Sequence, residues 1–397
     1  MKGKRKMTRY PDFDIEQANA LSFIMGCSLA QKAFIDPPVR NYTNIVRNLI
    51  EEADRLADNC HMPEFTNHAL PHICSIVRRA SVWGTADGWI DQMSSAEACY
   101  LLIALIIHDL GMLSQDAQDL PDLERISSRK GMSDLASWVR STHVSRLPKL
   151  IRRLLAQYII DDPSLSAHLD IIIQIAVSHG AWPWQEAFCH KPENAQALGM
   201  DVFRLRGLNA VVAVSDLLDE DSSRCDTATL IRHKHGSNLN ISHWIRHALT
   251  AEVRDIQEHK VNIQFRILPD VPDDIEIVYT VLQNHYQLIR LYNSDLSAIG
   301  ASISNIDFDK SRITDQISSD MRIWSELPDF RHCLIPWLLS TFEDEAKNCV
   351  QHNSEVQKYL DELKLKCVSL NNYTGFLSPA FPCTDEERIL LHILKSR

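Results

Sequence analysis

The feature that most constrains this chain is a helix with no polar face. Ser94-Ser95-Ala96-Glu97 has the pattern of a capping box, and Ala98 to Leu110 continues as a nearly all-apolar run broken only at His108-Asp109. A helix that is apolar all round must be covered on every side, so the fold has to be a helical assembly built around it. The uninterrupted stretch, Ala98 to Ile107, is far short of the ~20 residues that a membrane helix needs. Chemistry is confined to the polar end. There an imidazole and a carboxylate leave the same apolar rod just before Gly111, and a buried carboxylate is unfavourable unless it is paired, hydrogen-bonded or metal-bound.

From Asp14 to about Leu249 apolar residues recur at three- and four-residue spacing between short Pro, Gly, Asp and Ser interruptions, which predicts an all-α region. The character then changes. Val261 to Ile267 alternates apolar and polar, the period of a half-buried strand, and Pro269 and Pro272 mark a turn after it. Asp274 to Leu296 and Pro336 to Leu365 read as helices, and residues 300 to 330 are mixed and polar. The fold class expected is mainly α, a helical bundle with a C-terminal, mostly helical α+β extension holding a short strand region. We place N-terminal helices and a basic arm at 1–59, a central helical domain at 60–250 and the extension at 251–397.

The chain has 397 residues, 45% apolar and 23% charged, with a net charge of −11. That balance suits a folded acidic protein and argues against general nucleic-acid binding, which needs a basic face. Lys2, Lys4, Arg5, Lys6 and Arg9 are a local exception, read as a solvated tail within reach of an anionic ligand or partner. The N-terminus has no apolar signal core, so we expect a cytoplasmic protein with no membrane contact. Ten cysteines are scattered without a C-x-x-C pair, as expected of reduced core thiols.

Seventeen histidines are roughly twice the average usage, and their placement matters more than their number. His68 and His72 lie four apart on a predicted helix, Asn67 to Arg79, and so share a face. Asp216 follows the apolar run Leu208 to Val214 and precedes Asp219 and Glu220. Between these elements stand His143, in Arg140-Ser-Thr-His143, and His179, in Ile175-Ala-Val-Ser-His179-Gly180. The order along the chain is His, His-Asp, His, His, Asp.

Over roughly residues 60 to 250 this ordered set resembles the HD superfamily of metal-dependent phosphohydrolases. His72-Ile-Cys-Ser-Ile-Val looks like the family's first-histidine helix, in a register that selects His72 over His68 as ligand. Leu101 to Met112 resembles the signature doublet, and Val211-Val-Ala-Val-Ser-Asp216 resembles the last aspartate helix. Ser242-His243-Trp244-Ile-Arg246-His247 is similar to the variety found in bacterial conflict and antiviral systems. One departure stands out: the family often carries Arg after the first histidine, where this chain has Ser75.

The resemblance implies that His72, His108, Asp109 and Asp216 bind one divalent ion, with Mn, Mg, Fe, Co and Zn all compatible with such donors. In a binuclear arrangement Asp109 bridges to a second ion completed by His143 and His179. In a mononuclear one His143 or His179 donates a proton or grips phosphate, so Asp109, His143 and His179 are the catalytic candidates. The ion would polarise a phosphoryl oxygen and lower the pKa of bound water toward about 7. Phosphate contacts are assigned to His68, Arg140 and Arg146, with Arg206 and Lys149 as further candidates. Trp182 and Trp184 could wall a base site, although core packing is their plainer role. Asp219 and Glu220, one turn beyond Asp216, could orient the ligands, with helix-face solvation as the plain alternative.

The activity implied is nucleotide phosphohydrolysis, with deoxynucleoside triphosphates as the leading substrate. A phosphodiesterase for cyclic mono- or dinucleotides is the rival, and a non-catalytic nucleotide sensor is the alternative of a different class. A nucleotide regulator and a homo-oligomer, at least a dimer, are expected from the resemblance alone.

Overall fold

In this computed structural model the described residues are 17–60, 69–114, 132–177, 198–224, 244, 246–265, 282–283, 286 and 288–309. They form a mainly helical protein with one small sheet. Three N-terminal helices, α1 (Gln17–Gly26), α2 (Ser28–Ala33) and α3 (Tyr42–Asn59), lead to α4 (Leu70–Ala86) and α5 (Ser95–Ile107). A short α6 (Leu110–Leu113) follows, then α7 (Met132–Leu154), α8 (Ala156–Asp161), α9 (Leu165–Val177) and α10 (Val202–Leu217).

Everything is arranged around α5. Its capping box forms as read, with Ser94 Oγ accepting from Glu97 N and the Glu97 carboxylate accepting from Ser94 N at 2.8 Å. Every residue from Glu97 to Ile107 is buried, and α2, α3, α4, α9 and α10 pack against it. Although Ser95–Leu113 is apolar and long enough to cross a membrane, it is 94% buried inside the fold. Each fully buried Leu or Ile contributes roughly 1.5–3 kcal/mol, which explains how one helix can organise so many others. Cys74 and Cys99 are buried free thiols in this core, and burial pushes the Cys74 thiol up to about 12.

Helix α4 starts later than predicted, at Leu70, with Pro71 in its first turn where a missing N–H does no harm. Asn67 and His68 lie outside the described residues. Helix α10 is capped by Asp201, whose side chain accepts from Phe203 N at 2.8 Å. Gly207 lets this helix approach residues 295–299 closely, since a Cβ there would sit 2.7 Å from Ile299 Cγ2.

The strand expected at Val261–Ile267 is present as β2 (Lys260–Phe265), the middle strand of a three-stranded sheet. Its antiparallel partner β1 (Thr250–Val253) and parallel partner β3 (Asn305–Asp309) were not anticipated. The β1–β2 turn places Glu258 and His259 at φ 50 and 61, the left-handed pair of a tight hairpin turn. Neither residue is a usual choice there, and Asp87 at the end of α4 holds the turn, accepting from His259 N at 3.2 Å and facing His259 Nδ1 at 3.0 Å.

The helix expected over Asp274–Leu296 is present at the described residues 282, 283 and 286 and is corrected beyond them. Residues Leu288–Tyr292 and Ser297–Ile299 are 3₁₀ turns flanking a single α-turn, α11 (Asn293–Leu296). Asn293 explains the break, because its amide exchanges hydrogen bonds with both the N–H and the C=O of Ile303, each at 2.9 Å. Side-chain bonds of this kind compete with a continuing helix. The helix expected at Pro336–Leu365 lies outside the described residues.

Candidate metal centre

Three helices deliver four ligand side chains to one point. His72 comes from the first turn of α4, Asp216 from the last turn of α10, and His108 and Asp109 from the break between α5 and α6. That break is local. His108 still closes the α5 ladder, its N–H donating to Ala104 O at 3.0 Å, whereas Asp109 takes φ −105, ψ 7 before the chain turns into α6. The bridge region of backbone space swings the carboxylate off the helix axis.

The histidine tautomers follow from their partners. His72 Nδ1 lies 2.7 Å from Asp219 Oδ2, and an ionised carboxylate only accepts, so Nδ1 carries the proton. His108 Nδ1 donates to Leu105 O at 2.9 Å. Both Nε2 atoms are thereby left as lone pairs, and they face each other at 3.1 Å. Asp109 Oδ2 sits 3.7 and 3.5 Å from these two nitrogens, and Asp216 Oδ1 sits 3.3 and 3.6 Å from them.

An ion with bonds of about 2.1 Å would separate neighbouring donors by about 3.0 Å in an octahedron and about 3.4 Å in a tetrahedron. Two of the observed separations, 3.1 and 3.3 Å, fall in that range, and the other three, 3.5 to 3.7 Å, lie just beyond it. All four donor atoms lie within 4.8 Å of one another, and three of the four residues are buried. Two buried nitrogen lone pairs and two carboxylate oxygens aimed at one point are a poor arrangement without a cation and a good one with it.

Asp109 divides its two oxygens. Oδ2 faces the two ligand histidines, and Oδ1 faces His143 Nε2 at 3.6 Å. His143 Nδ1 donates to Arg140 O on its own helix, which again leaves Nε2 as the lone pair. The approach of α7 to α6 depends on Gly111, because a Cβ there would lie 2.3 Å from His143 O. Arg146 fastens the same contact by donating to Gly111 O at 2.7 Å and Ser114 O at 3.3 Å. Its guanidinium therefore joins two helices, a use that the sequence reading as a phosphate contact did not foresee.

Arg140 is pushed down to about 10 by burial and by Arg246 and Arg224, while Asp109 opposes the shift. It stands in the field of the candidate ligand. Arg206 pairs with Asp295 at 3.1 Å, and Lys149 is exposed on α7. His179, Trp182 and Trp184 lie outside the described residues, as does His68.

Behind the ligands is a group of charged residues of which the sequence reading had named Asp219 and Glu220 as possible orienting groups. The Asp219 carboxylate is buried and accepts from Ser75 Oγ, from His72 Nδ1, and from Arg79 Nε at 3.3 Å. Arg224 Nη1 donates to Asp219 O at 2.9 Å. Against the burial that would raise it, these partners hold the Asp219 carboxyl far below its ordinary value. Ser75 and Arg79 follow His72 by three and seven residues, so a helical wheel puts all three on one face, a signal present in the sequence. Beyond them Arg246 pairs with Glu220, and buried His247 is held neutral by burial and by its cationic neighbours Arg224 and Arg246.

No curated protein matches the chain, and no solved structure matches it. The model of the HD-CE family matches residues 62–292, a span that takes in all four candidate ligands and the β1–β2 hairpin. A match over more than half of the chain, joined to this His/His-Asp/Asp geometry, establishes that the protein belongs to the HD-CE family of HD domains.

Proposed function

We propose that this HD-CE protein is a metal-dependent phosphohydrolase acting on nucleotides, with deoxynucleoside triphosphates as its leading substrate class. The observation that carries the hydrolase reading is the convergence of His72 Nε2, His108 Nε2, Asp109 Oδ2 and Asp216 Oδ1 on one point. A divalent ion held there supplies Lewis-acid polarisation of a phosphoryl oxygen and an acidified water. The chain's own residues do the rest. Asp219 and the Leu105 carbonyl hold the two imidazoles in the tautomer that puts the lone pair on Nε2. His143 Nε2, 3.6 Å from Asp109 Oδ1, would receive or return a proton at the reacting centre. Arg140, which feels the charge of Asp109, would supply a cation suited to phosphate oxygens. Depletion of deoxynucleotides in antiviral defence is the cellular role that the sequence resemblance suggests for such an activity.

A second reading is favoured by one observation. The division of the Asp109 oxygens between the ligand histidines and His143 suits a carboxylate bridging two ions, the arrangement expected of a cyclic-nucleotide phosphodiesterase. His179 would have to complete that second site. The test is to incubate Mn²⁺-loaded protein and its Asp109→Ala variant with deoxynucleoside triphosphates, ribonucleoside triphosphates and cyclic nucleotides, and to separate the products by chromatography. Triphosphate or phosphate released from deoxynucleotides by the parent protein alone supports the leading reading. Cleavage confined to cyclic substrates favours the second. Stabilisation by one nucleotide with no turnover indicates a sensor, and activity that survives in the variant overturns the metal centre.

A further inference from the structure

The hydrogen-bond chain that starts at His72 does not end at Asp219. Arg79 Nε donates to Asp219 Oδ1 at 3.3 Å, its Nη2 donates to Asp221 Oδ2 at 3.1 Å, and its Nη1 donates to Val253 O at 2.8 Å. Asp255 Oδ1 lies 3.7 Å from that same Nη1, and its other oxygen pairs with Arg78. The Arg79 guanidinium is buried, so its contacts with buried Asp219 and the Val253 carbonyl are made with little competition from solvent. One planar fork thus joins three segments: α4, which carries His72, the chain after α10, which carries Asp219 and Asp221, and strand β1 of the hairpin.

A buried guanidinium in this position has a consequence for the metal. The carboxylate of Asp219 can turn about its own side-chain torsions, and His72 Nδ1 would follow it. Fixing Oδ1 with Arg79 and Ser75 leaves Oδ2 facing His72 and fixes the plane of the imidazole. A lysine could meet Asp219 with one point charge but could not hold Asp221 and the Val253 carbonyl in the same plane.

We infer that Arg79 is a positioning residue of the metal centre, tying the orientation of the ligand His72 to the docking of the β1–β2 hairpin on α4. The inference rests on the reading of His72 as a metal ligand, and it gives the hairpin a share in the site's chemistry. Ordering of His72 is then lost when the hairpin contact is loosened, although no hairpin residue belongs to the group of four candidate ligands.

The full-length protein, stripped with EDTA, is titrated with Co²⁺ while its visible absorption bands are recorded, and its melting temperature is measured separately in EDTA. Loss of a partner that orients a ligand histidine typically weakens metal affinity about 10–100-fold, and that is the effect expected for Arg79→Gln, with altered band shape. Arg79→Lys should recover part of the affinity. Asp221→Asn, which removes a partner of Arg79 on the side away from His72, should produce a smaller loss of the same kind and serves if Arg79→Gln does not fold. A lower melting temperature with unchanged Co²⁺ affinity and spectrum in these variants would overturn the inference, because a merely structural arginine behaves that way. His72→Ala separates the two layers: if it binds Co²⁺ as the parent does, the metal-centre reading fails and takes the inference with it. If His72→Ala loses binding while the Arg79 variants keep it, the inference alone fails.

Discussion

The two ends of α5 each bury a cluster of charged groups, and they resolve that burial in opposite ways. At the N-terminal end Glu97 closes the capping box and takes Arg204 in a two-pronged ion pair, while Arg204 also donates to Gln92 O and Ala298 O. Donors meet acceptors there. At the C-terminal end two imidazole lone pairs and two carboxylate oxygens face one another across 3.1 to 3.7 Å. Acceptors meet acceptors. The first cluster is complete as protein, whereas the second becomes complete only with a cation, and the contrast locates function at one end of a helix whose middle is uniformly apolar.

Breaking the C-terminal cluster should have the largest effect. Asp109→Ala removes a ligand and, with it, several kcal/mol of charge stabilisation, so turnover of whichever nucleotide the parent accepts should fall about 10³-fold or more. The same variant should keep a cooperative melt in EDTA, since the packing of α5 does not depend on that carboxylate. A chromatographic assay beside a thermal melt checks both. Survival of activity would remove the contrast between the two ends.

Metal addition should separate the ends next. Mn²⁺ at about 100 times its dissociation constant should stabilise the parent by about 2.7 kcal/mol. Asp109→Ala should not respond, and Glu97→Gln should respond fully from a lower baseline. Differential scanning calorimetry with and without Mn²⁺ reads all three.

Acid sharpens the comparison from a third position, behind the ligands. Buried His247 is neutral in the folded protein because burial, and then Arg224 and Arg246, disfavour its charge. Its folded pKa is lowered, so the unfolded chain binds a proton first as pH falls below about 6.5. Stability from this group is present above that pH and is lost below it, by up to about 1.4 kcal/mol per unit. Denaturation by urea between pH 7.5 and 5.5 should show a slope that His247→Gln reduces. An identical slope in the variant would show that His247 does not carry the effect.

The smallest effect belongs to the N-terminal end. Ser94→Ala deletes the capping acceptor and should cost about 1 kcal/mol of stability. Mn²⁺ affinity should not change. A capping variant with weakened metal binding would mean that the two clusters are coupled through α5, contrary to the contrast drawn here.

Much of this was legible in the sequence, because the evidence was local. The capping box, the apolar rod and the His108-Asp109 break lie within a few turns of one another and need no tertiary knowledge. Four members of the ligand set were legible through family resemblance, and His72, the residue that the register favoured, stands among the four candidate ligands. Arg79 was not, since its meaning comes from Asp219, 140 residues away, and from the Val253 carbonyl of β1, 174 residues away. Strands β1 and β3 were missed for a related reason: four or five residues provide too few alternations to stand out. The Glu258-His259 turn lacks the Asn-Gly signal, because Asp87 on another helix stabilises it. The contacts of Arg146 were not legible, because a basic residue three positions after His143 reads the same whether it meets a phosphate or the carbonyls of Gly111 and Ser114.

The most direct measurement is a calorimetric Mn²⁺ titration of the EDTA-stripped protein beside its Asp216→Ala and Glu97→Gln variants. The account predicts saturable binding of at least one equivalent in the parent and in Glu97→Gln, and none at the same concentrations in Asp216→Ala. Absence of binding in the parent, or binding unchanged in Asp216→Ala, would contradict a metal centre at the C-terminal end of α5.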